Sequence, residues 1–335
     1  MLILNESDLR RLLGMNEVIQ ALERGFRRLG SGLVRSPERL NMPLPELGGT
    51  MLEMPAALLP ASATSNNEPG NTALGTKIVS VFPENANRNL DIVQSLYVLL
   101  DPATGRPLAI MEGKFITGIR TAAASALATK YMARADSKTL VIFGAGVQAG
   151  FHIEALLEST KLQRVIVTSS TLSRAESLVN RIAARYPVEA EIGESPGQAL
   201  AQADVVCTCT TSAEPLFYGD LIKPGTHINA VGAFTPHTRE LDTQLISRAR
   251  VIVDAEQAAG VEAGEIQIPL SEGAIQRGHV KGALADVVLG TVEGRTSADE
   301  VTVFKSCGLA LEDLVTASLA FEKAGAEGVG TEAAI

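Results

Sequence analysis

Two features of this 335-residue chain carry the residue types that chemistry needs. The first is Gly144-Ala145-Gly146-Val147-Gln148-Ala149, which follows the apolar run Leu140–Phe143 and precedes a helical pattern. Gly144 permits a tight turn, Gly146 lets the backbone approach a pyrophosphate, and Ala149 is small enough for close helix–strand packing. The free N–H groups of the next helix then point at the phosphates. The second feature is a pair of isolated cations. Arg120 lies near the start of a helix, 117–133, whose other residues are mostly small and apolar. That is the wrong end of the helix dipole for a positive charge. A bound carboxylate would relieve the conflict, and so would a salt bridge to an acid elsewhere in the chain. Lys77 opens an otherwise apolar strand, 77–82, so it either faces inward toward a polar partner or marks a solvated strand end. Arg39, after Ser36-Pro37-Glu38, says little alone and reads as a loop arginine paired with Glu38.

The strand after the glycine turn selects the dinucleotide. An NAD site usually ends that strand with an acid for the ribose hydroxyls. Here it ends Val167-Thr168-Ser169-Ser170-Thr171, with Arg174 beyond and no acid. Hydroxyls and an arginine suit a 2′-phosphate, so NADP(H) is the preferred cofactor and NAD(H) the second choice. The competing reading is that Ser170 and Thr171 only cap the following helix.

These residues must be positioned by two kinds of architecture. Up to residue 115 the pattern is mixed. A helix is expected over 7–29, ended by Gly30 and Gly32, with loops over 47–72, a strand over 77–82, and a hairpin of 92–100 with 107–111 around the turn 101–106. Helix 117–133 is rich in alanine and reads as a buried connector. From Lys138 the pattern alternates. Strands are expected at 140–143, 164–168, 204–208, 227–231 and 251–254, with helices at 148–157 and 173–186 among them. That alternation means a doubly wound parallel sheet. A last helix follows from about Leu309 to Lys323, with Asp313 on it reading as exposed.

Composition limits the partners. Hydrophobic residues are 46% and charged residues 20%, with no Trp, so the cores rest on Ala, Val, Leu and Ile. The net charge of -9 argues against nucleic acid. The N-terminus lacks the pattern of a signal peptide and no stretch has the apolar length of a membrane span, so a cytoplasmic protein without membrane contact is expected. Cys207, Cys209 and Cys307 do not suggest a disulfide framework. They are expected to be buried and reduced, with Cys207 and Cys209 on one face of a strand. No His/Cys cluster has zinc spacing, so no metal is expected. His152 reads as structural and His237 as an exposed loop histidine rather than an acid or base.

Several segments together resemble the ornithine cyclodeaminase/mu-crystallin family over nearly the whole chain. They are Met54-Pro55-Ala56, Lys77-Ile78-Val79, Thr117-Gly118-Ile119-Arg120-Thr121-Ala122-Ala123, the glycine turn, His227-Ile228-Asn229-Ala230-Val231-Gly232-Ala233, Arg239-Glu240-Leu241-Asp242 and Phe304-Lys305-Ser306-Cys307-Gly308. The resemblance implies an α/β protein: a Rossmann-type sheet, here 121–307, inserted into an α+β substrate-binding and dimerisation domain, here 1–120 with 308–335. It implies a homodimer acting on a small imino or amino acid carboxylate. Arg39, Lys77 and Arg120 match the cations that hold that carboxylate, and Glu53 an acid able to shuttle a proton. Thr121, Thr210, Thr211, Val231, Gly232, Ser306 and Gly308 match positions near the cofactor. Where cyclodeaminases carry an aspartate two residues after the glycine, this chain has Phe234, which neither takes a proton nor pairs with an ammonium. The leading expectation is therefore an NAD(P)H-dependent ketimine reductase. It would convert Δ1-pyrroline-2-carboxylate to L-proline, with Δ1-piperideine-2-carboxylate to L-pipecolate as the close second. The alternatives are ornithine or lysine cyclodeaminase, an alanine-type dehydrogenase, and a non-catalytic ligand-binding protein that uses NADPH as a structural element.

Overall fold

The computed structural model describes residues 1–60 and 72–334. The chain divides into two compact units, Met1–Arg120 with Leu309–Ile335, and Thr121–Gly308.

The first unit is built on one mixed sheet. Its strand order is Thr331–Glu332, Leu2–Leu4, Pro107–Glu112, Val93–Leu100, Ala73–Val81, Gly49–Leu58 and Val34–Arg35, with Leu40–Leu44 also pairing Gly49–Leu58. Pairing is antiparallel except between Leu2–Leu4 and Pro107–Glu112. The expected hairpin is present, closed where the Asp101 N–H donates to Arg106 O at 2.8 Å. Burial alternates along the central strands: Ala73, Gly75, Lys77 and Val79 are buried, and their chain neighbours less so. The buried face lies against helix Ala310–Glu327, which also packs on helix Met15–Gly30.

Two expectations are corrected here. The helical run 7–29 is two helices, Glu6–Leu12 and Met15–Gly30. Leu13 is extended between them, and Gly14 opens the second helix with its N–H donated to Glu17 Oε2 at 3.2 Å. Apolar periodicity continued through the break because both helices bury one face. The expected loop 47–72 contains the strand Gly49–Leu58. Its glycine, threonine and proline residues are tolerated because two neighbouring strands clamp it. Residues 61–71 of that loop lie outside the described residues.

The second unit is the expected doubly wound sheet. Its eight strands are ordered Glu189–Ile192, Arg164–Thr168, Thr139–Phe143, Val205–Thr208, His227–Ala230, Thr302–Lys305, Arg250–Val253 and Val280–Ala283, all pairs parallel. The strand order reverses between Thr139–Phe143 and Val205–Thr208, so a crevice opens beyond their C-terminal ends. The core on one face joins Val141, Phe143, Val206, Ile228, Leu245 and Val303. Helix Gly113–Met132 brings a run of fully buried alanines, including Ala122, Ala123, Ala124 and Ala126. Among the described residues, no helix is long and apolar enough to cross a membrane.

Candidate functional site

In the first unit, strand, connector helix and final helix bring four charged groups together. Lys77 is buried on the face of its strand that meets the final helix. Its Nζ lies 2.8 Å from Asp313 Oδ2 and donates to Thr117 Oγ1 at 3.3 Å. Arg120 donates from Nη1 to Glu312 Oε2 at 2.6 Å and from Nε to Asp313 Oδ1 at 3.1 Å. Glu312 and Asp313 are wholly buried. Arg39 is close enough for its charge to act on Lys77. Burial pulls the Lys77 pKa down to about 8, and the nearby Arg120 and Arg39 charges add to that while Asp313 opposes it. Two buried cations, Lys77 and Arg120, thus share the carboxylates of Asp313 and Glu312, with Arg39 near enough to act on Lys77.

The sequence missed Glu312 and Asp313. The expectation that Asp313 is exposed is wrong: it is 0% exposed and bridges Lys77 and Arg120. Acids are common in the first turn of a helix, where the dipole favours them, and that ordinary placement hid their partners. The only available signal was a pair of adjacent acids in a helix otherwise dominated by apolar residues.

The helix-dipole argument for Arg120 also fails. The connector helix starts at Gly113, so Arg120 lies two turns inside it, beyond the reach of the terminal partial charge. Its first N–H groups are already taken, Lys114 N donating to Glu112 Oε1 at 3.0 Å and Phe115 N to Glu112 Oε2 at 2.7 Å. What balances Arg120 is the salt bridge, the alternative that the sequence left open.

Glu53 is not beside Lys77. Met54 is the cross-strand partner of Lys77, and Glu53 that of Ile78. Cross-strand partners share a face and chain neighbours do not, so Glu53 points from the opposite face of the sheet. There its Oε1 accepts from Thr76 Oγ1 at 3.4 Å. The sheet lies between this carboxylate and the cation cluster.

In the second unit the glycine turn has the geometry that a pyrophosphate needs. Gly144 has φ +106°, and a Cβ there would meet Cys209 O at 2.5 Å. At Gly146 a Cβ would meet nothing, so the backbone is open to a ligand. Helix Val147–Ser159 begins directly after it, with Val147 exposed, Gln148 in the first turn and Ala149 buried against the sheet. These observations fit a dinucleotide phosphate group. Beyond the second strand, Ser170, Thr171 and Arg174 are exposed. Thr171 occupies the N-cap position of helix Leu172–Arg185 but its side chain makes no capping hydrogen bond. Ser169 Oγ accepts the Thr171 N–H at 3.2 Å. The capping alternative for these hydroxyls therefore lacks its bond.

At the C-terminal ends of the neighbouring strands, Thr210 and Gly232 are tied to the buried Glu240. Val231 N donates to Thr208 O at 3.1 Å. Ser306 and Gly308 are organised by Asp254, which accepts from Ser306 Oγ, Cys307 N and Gly308 N. Thr121 is buried on the connector helix, Thr211 is exposed, and Phe234 is 49% exposed. His237 is exposed, as expected of a loop histidine. His152 is structural: Nδ1 donates to Gln148 O at 2.8 Å, Nε2 accepts from Ser125 Oγ, and burial pulls its pKa down to about 4. The cysteines are free thiols, but Cys209 lies past the end of its strand and is only half-buried, so it does not share a strand face with Cys207. Among the described residues no group of His, Cys, Asp and Glu could hold a metal ion.

Known proteins resemble this chain over nearly its whole length. A Δ1-pyrroline-2-carboxylate reductase of Thermococcus litoralis, solved in complex with NADH and L-proline, superposes with a TM-score of 0.93 and 40% identity, over 99% of this chain and 100% of that one. The Δ1-pyrroline-2-carboxylate reductase of Bacillus cereus is 33% identical over 99% of each chain. The ketimine reductase mu-crystallin of Rattus norvegicus is 36% identical over 91% of this chain and 90% of its own. The model of the ornithine cyclodeaminase/mu-crystallin family matches residues 1–328, and the chain belongs to that family.

Proposed function

We propose that the chain is a nicotinamide-dependent reductase of cyclic ketimine carboxylates. Its leading substrate is Δ1-pyrroline-2-carboxylate, reduced to L-proline. Δ1-Piperideine-2-carboxylate, reduced to L-pipecolate, is the second. The observation that carries this reading is the pair of buried cations Lys77 and Arg120 gathered on Asp313 and Glu312, with Arg39 near enough to act on Lys77, because cations so grouped recognise a carboxylate.

In this reading the first unit binds the substrate and the second the dinucleotide. Arg39, Lys77 and Arg120 hold the carboxylate and so fix the orientation of the adjacent C=N bond, an entropic contribution to rate. When bound, the nicotinamide supplies hydride to C2. The ring nitrogen must carry a proton at that moment. Lys77 is suited to hold or give it, because an ammonium with a pKa of about 8 is both populated and acidic near neutrality. Glu53, on the far face of the sheet, is not part of this step. Gly144, Gly146, Val147, Gln148 and Ala149 would receive the pyrophosphate. Thr121, Thr210, Thr211, Val231, Gly232, Ser306 and Gly308 would surround the rest of the dinucleotide. Ser169, Ser170, Thr171 and Arg174 support NADP(H) over NAD(H), since they place an arginine and hydroxyls where an acid would repel a 2′-phosphate. Phe234 supports a substrate with no free side-chain amine, because its ring cannot pair with one.

We also propose a homodimer. The sheet face opposite the final helix carries the cross-strand row Leu40, Glu53, Ile78 and Leu96, with Met42 beside it. Leu40 is 55% exposed, Met42 41% and Leu96 38%, the kind of apolar face that a second copy covers.

The test is nicotinamide oxidation followed by absorbance, with NADPH or NADH and Δ1-pyrroline-2-carboxylate. Pyruvate plus ammonia, and ornithine with an ammonia readout, run in parallel. Rapid oxidation with the ketimine and no ammonia from ornithine is expected. Ammonia and proline from ornithine would mean a cyclodeaminase; turnover only with pyruvate and ammonia would mean an alanine-type dehydrogenase; tight cofactor binding with no turnover would mean a binding protein.

A further inference from the structure

The loop that carries Phe234 is closed by one buried carboxylate. Glu240 Oε1 accepts from Thr210 N at 2.8 Å and from Thr210 Oγ1 at 2.7 Å, and its Oε2 accepts from Gly232 N at 2.7 Å. The Glu240 N–H donates to Glu265 Oε1 at 3.0 Å. Lys305 Nζ lies 3.1 Å from Glu265 Oε2 and donates to the carbonyls of Ala230 and Ala233. Glu240, Glu265 and Lys305 are each wholly buried. A Cβ on Gly232 would meet Thr210 O at 2.2 Å and Glu240 Oε1 at 2.6 Å, so only glycine permits this approach.

The location gives the network its meaning. Thr210, Gly232 and Lys305 lie at the C-terminal ends of Val205–Thr208, His227–Ala230 and Thr302–Lys305. These strands are on one side of the reversal in strand order. The glycine turn follows Thr139–Phe143, and the Ser169–Arg174 segment follows Arg164–Thr168, both strands on the other side. A doubly wound sheet binds a dinucleotide across that reversal, with the adenosine half on the side of the glycine turn and its second strand. Glu240 takes its hydrogen bonds from the opposite side.

We infer that Glu240 is a positioning residue for the nicotinamide half of the dinucleotide. Its carboxylate fixes Thr210 and Gly232, the edges on which that half rests, and Lys305 and Glu265 fix Glu240 in turn. The inference deepens the dinucleotide reading above and rests on it. It also assigns a task to two segments, Arg239–Asp242 and Phe304–Gly308, whose charged residues the hydride chemistry leaves unused.

The test compares two ligands on the full-length protein. Wild type and Glu240→Gln are titrated with NADPH or NADH, and separately with ADP, by calorimetry, and their melting temperatures are measured. The glutamine keeps one oxygen for Thr210 but turns its amide donors toward the Gly232 N–H. The dinucleotide Kd is expected to rise about tenfold or more, the loss of a charge-assisted hydrogen bond, while the ADP Kd stays within about twofold. An unchanged dinucleotide Kd, or equal weakening of both ligands, overturns the inference, because a merely structural role moves both together. If Glu240→Gln does not fold, Thr210→Val removes one of the same donors with little change of shape and is judged by the same ratio. A wild type that binds no dinucleotide sinks the underlying reading and this inference with it; a wild type that binds, with a variant that fails the ratio, sinks only the inference.

Discussion

Asp313 lies between Lys77 and Arg120, with Oδ2 2.8 Å from Lys77 Nζ and Oδ1 3.1 Å from Arg120 Nε. One carboxylate therefore serves two cations, and neither cation is fully neutralised by it alone. Glu312 adds a second carboxylate contact to Arg120. Arg39 is near enough to act on Lys77, and a substrate carboxylate is proposed to bind beside these cations.

The first prediction concerns pH. The form of Lys77 that binds a carboxylate is the ammonium, which is present below its pKa of about 8 and lost as pH rises through it. The kcat/KM for Δ1-pyrroline-2-carboxylate should therefore fall on the alkaline side of about pH 8. The negative charge of Asp313 raises the Lys77 pKa. In Asp313→Asn the alkaline limb should move to lower pH. Profiles of kcat/KM against pH for both proteins decide this, and superimposable limbs would refute the role of Asp313.

Arg120→Ala should be costly twice. It breaks the buried Arg120–Glu312 pair, a loss of about 3–5 kcal/mol in stability. It also removes a guanidinium from the proposed carboxylate site, which should raise KM strongly and lower kcat/KM by roughly 100-fold. Denaturant melts and steady-state kinetics measure the two effects separately. An Arg120→Ala protein with wild-type kcat/KM would falsify the substrate assignment.

Glu53 offers a contrast. It carries a carboxylate one residue from Met54, yet it faces away from Lys77. Glu53→Gln should leave kcat/KM for the ketimine within about threefold, since exposed or half-buried changes away from the site are usually small. A collapse of kcat with KM unchanged would place the carboxylate in proton transfer and contradict the strand register.

Arg174 is exposed at the end of the segment expected to meet a 2′-phosphate. Arg174→Ala should raise the Kd for NADPH several-fold, consistent with loss of one solvent-screened charge contact of up to about 1 kcal/mol, and leave the Kd for NADH unchanged. Equal Kd changes for both cofactors would remove the basis for an NADP preference.

The second unit was the more legible part of the fold, because strand–helix alternation is a local pattern. Val205–Thr208 and His227–Ala230 fell within a residue of their expected ends. The strand Gly49–Leu58 was not legible, because its stability comes from two flanking strands rather than its own residue types. In the site, Lys77 and Arg120 stood out as charges in apolar company. Asp313 and Glu312 did not, because their partners lie far along the chain and only the folded structure pairs them. Glu53 misled for a different reason. Its place in the motif was clear, but which sheet face it occupied depended on the register of a strand that the sequence read as a loop. Glu240 and Lys305 were quoted in motifs without a role, since nothing local connects them.

Lys77 and Asp313 are separated by 236 residues. During synthesis, Lys77 and Arg120 leave the ribosome long before the helix that carries their carboxylates, whereas the residues of the second unit form one uninterrupted stretch. That stretch can therefore fold while the first unit still lacks its final helix. The ion cluster closes one of the longest loops in the chain, with a correspondingly large entropic penalty. Until it closes, two cations that become buried in the finished protein remain in water. The cation cluster therefore cannot close until the helix that carries Glu312 and Asp313 has been made, even though Lys77 and Arg120 are synthesised long before it.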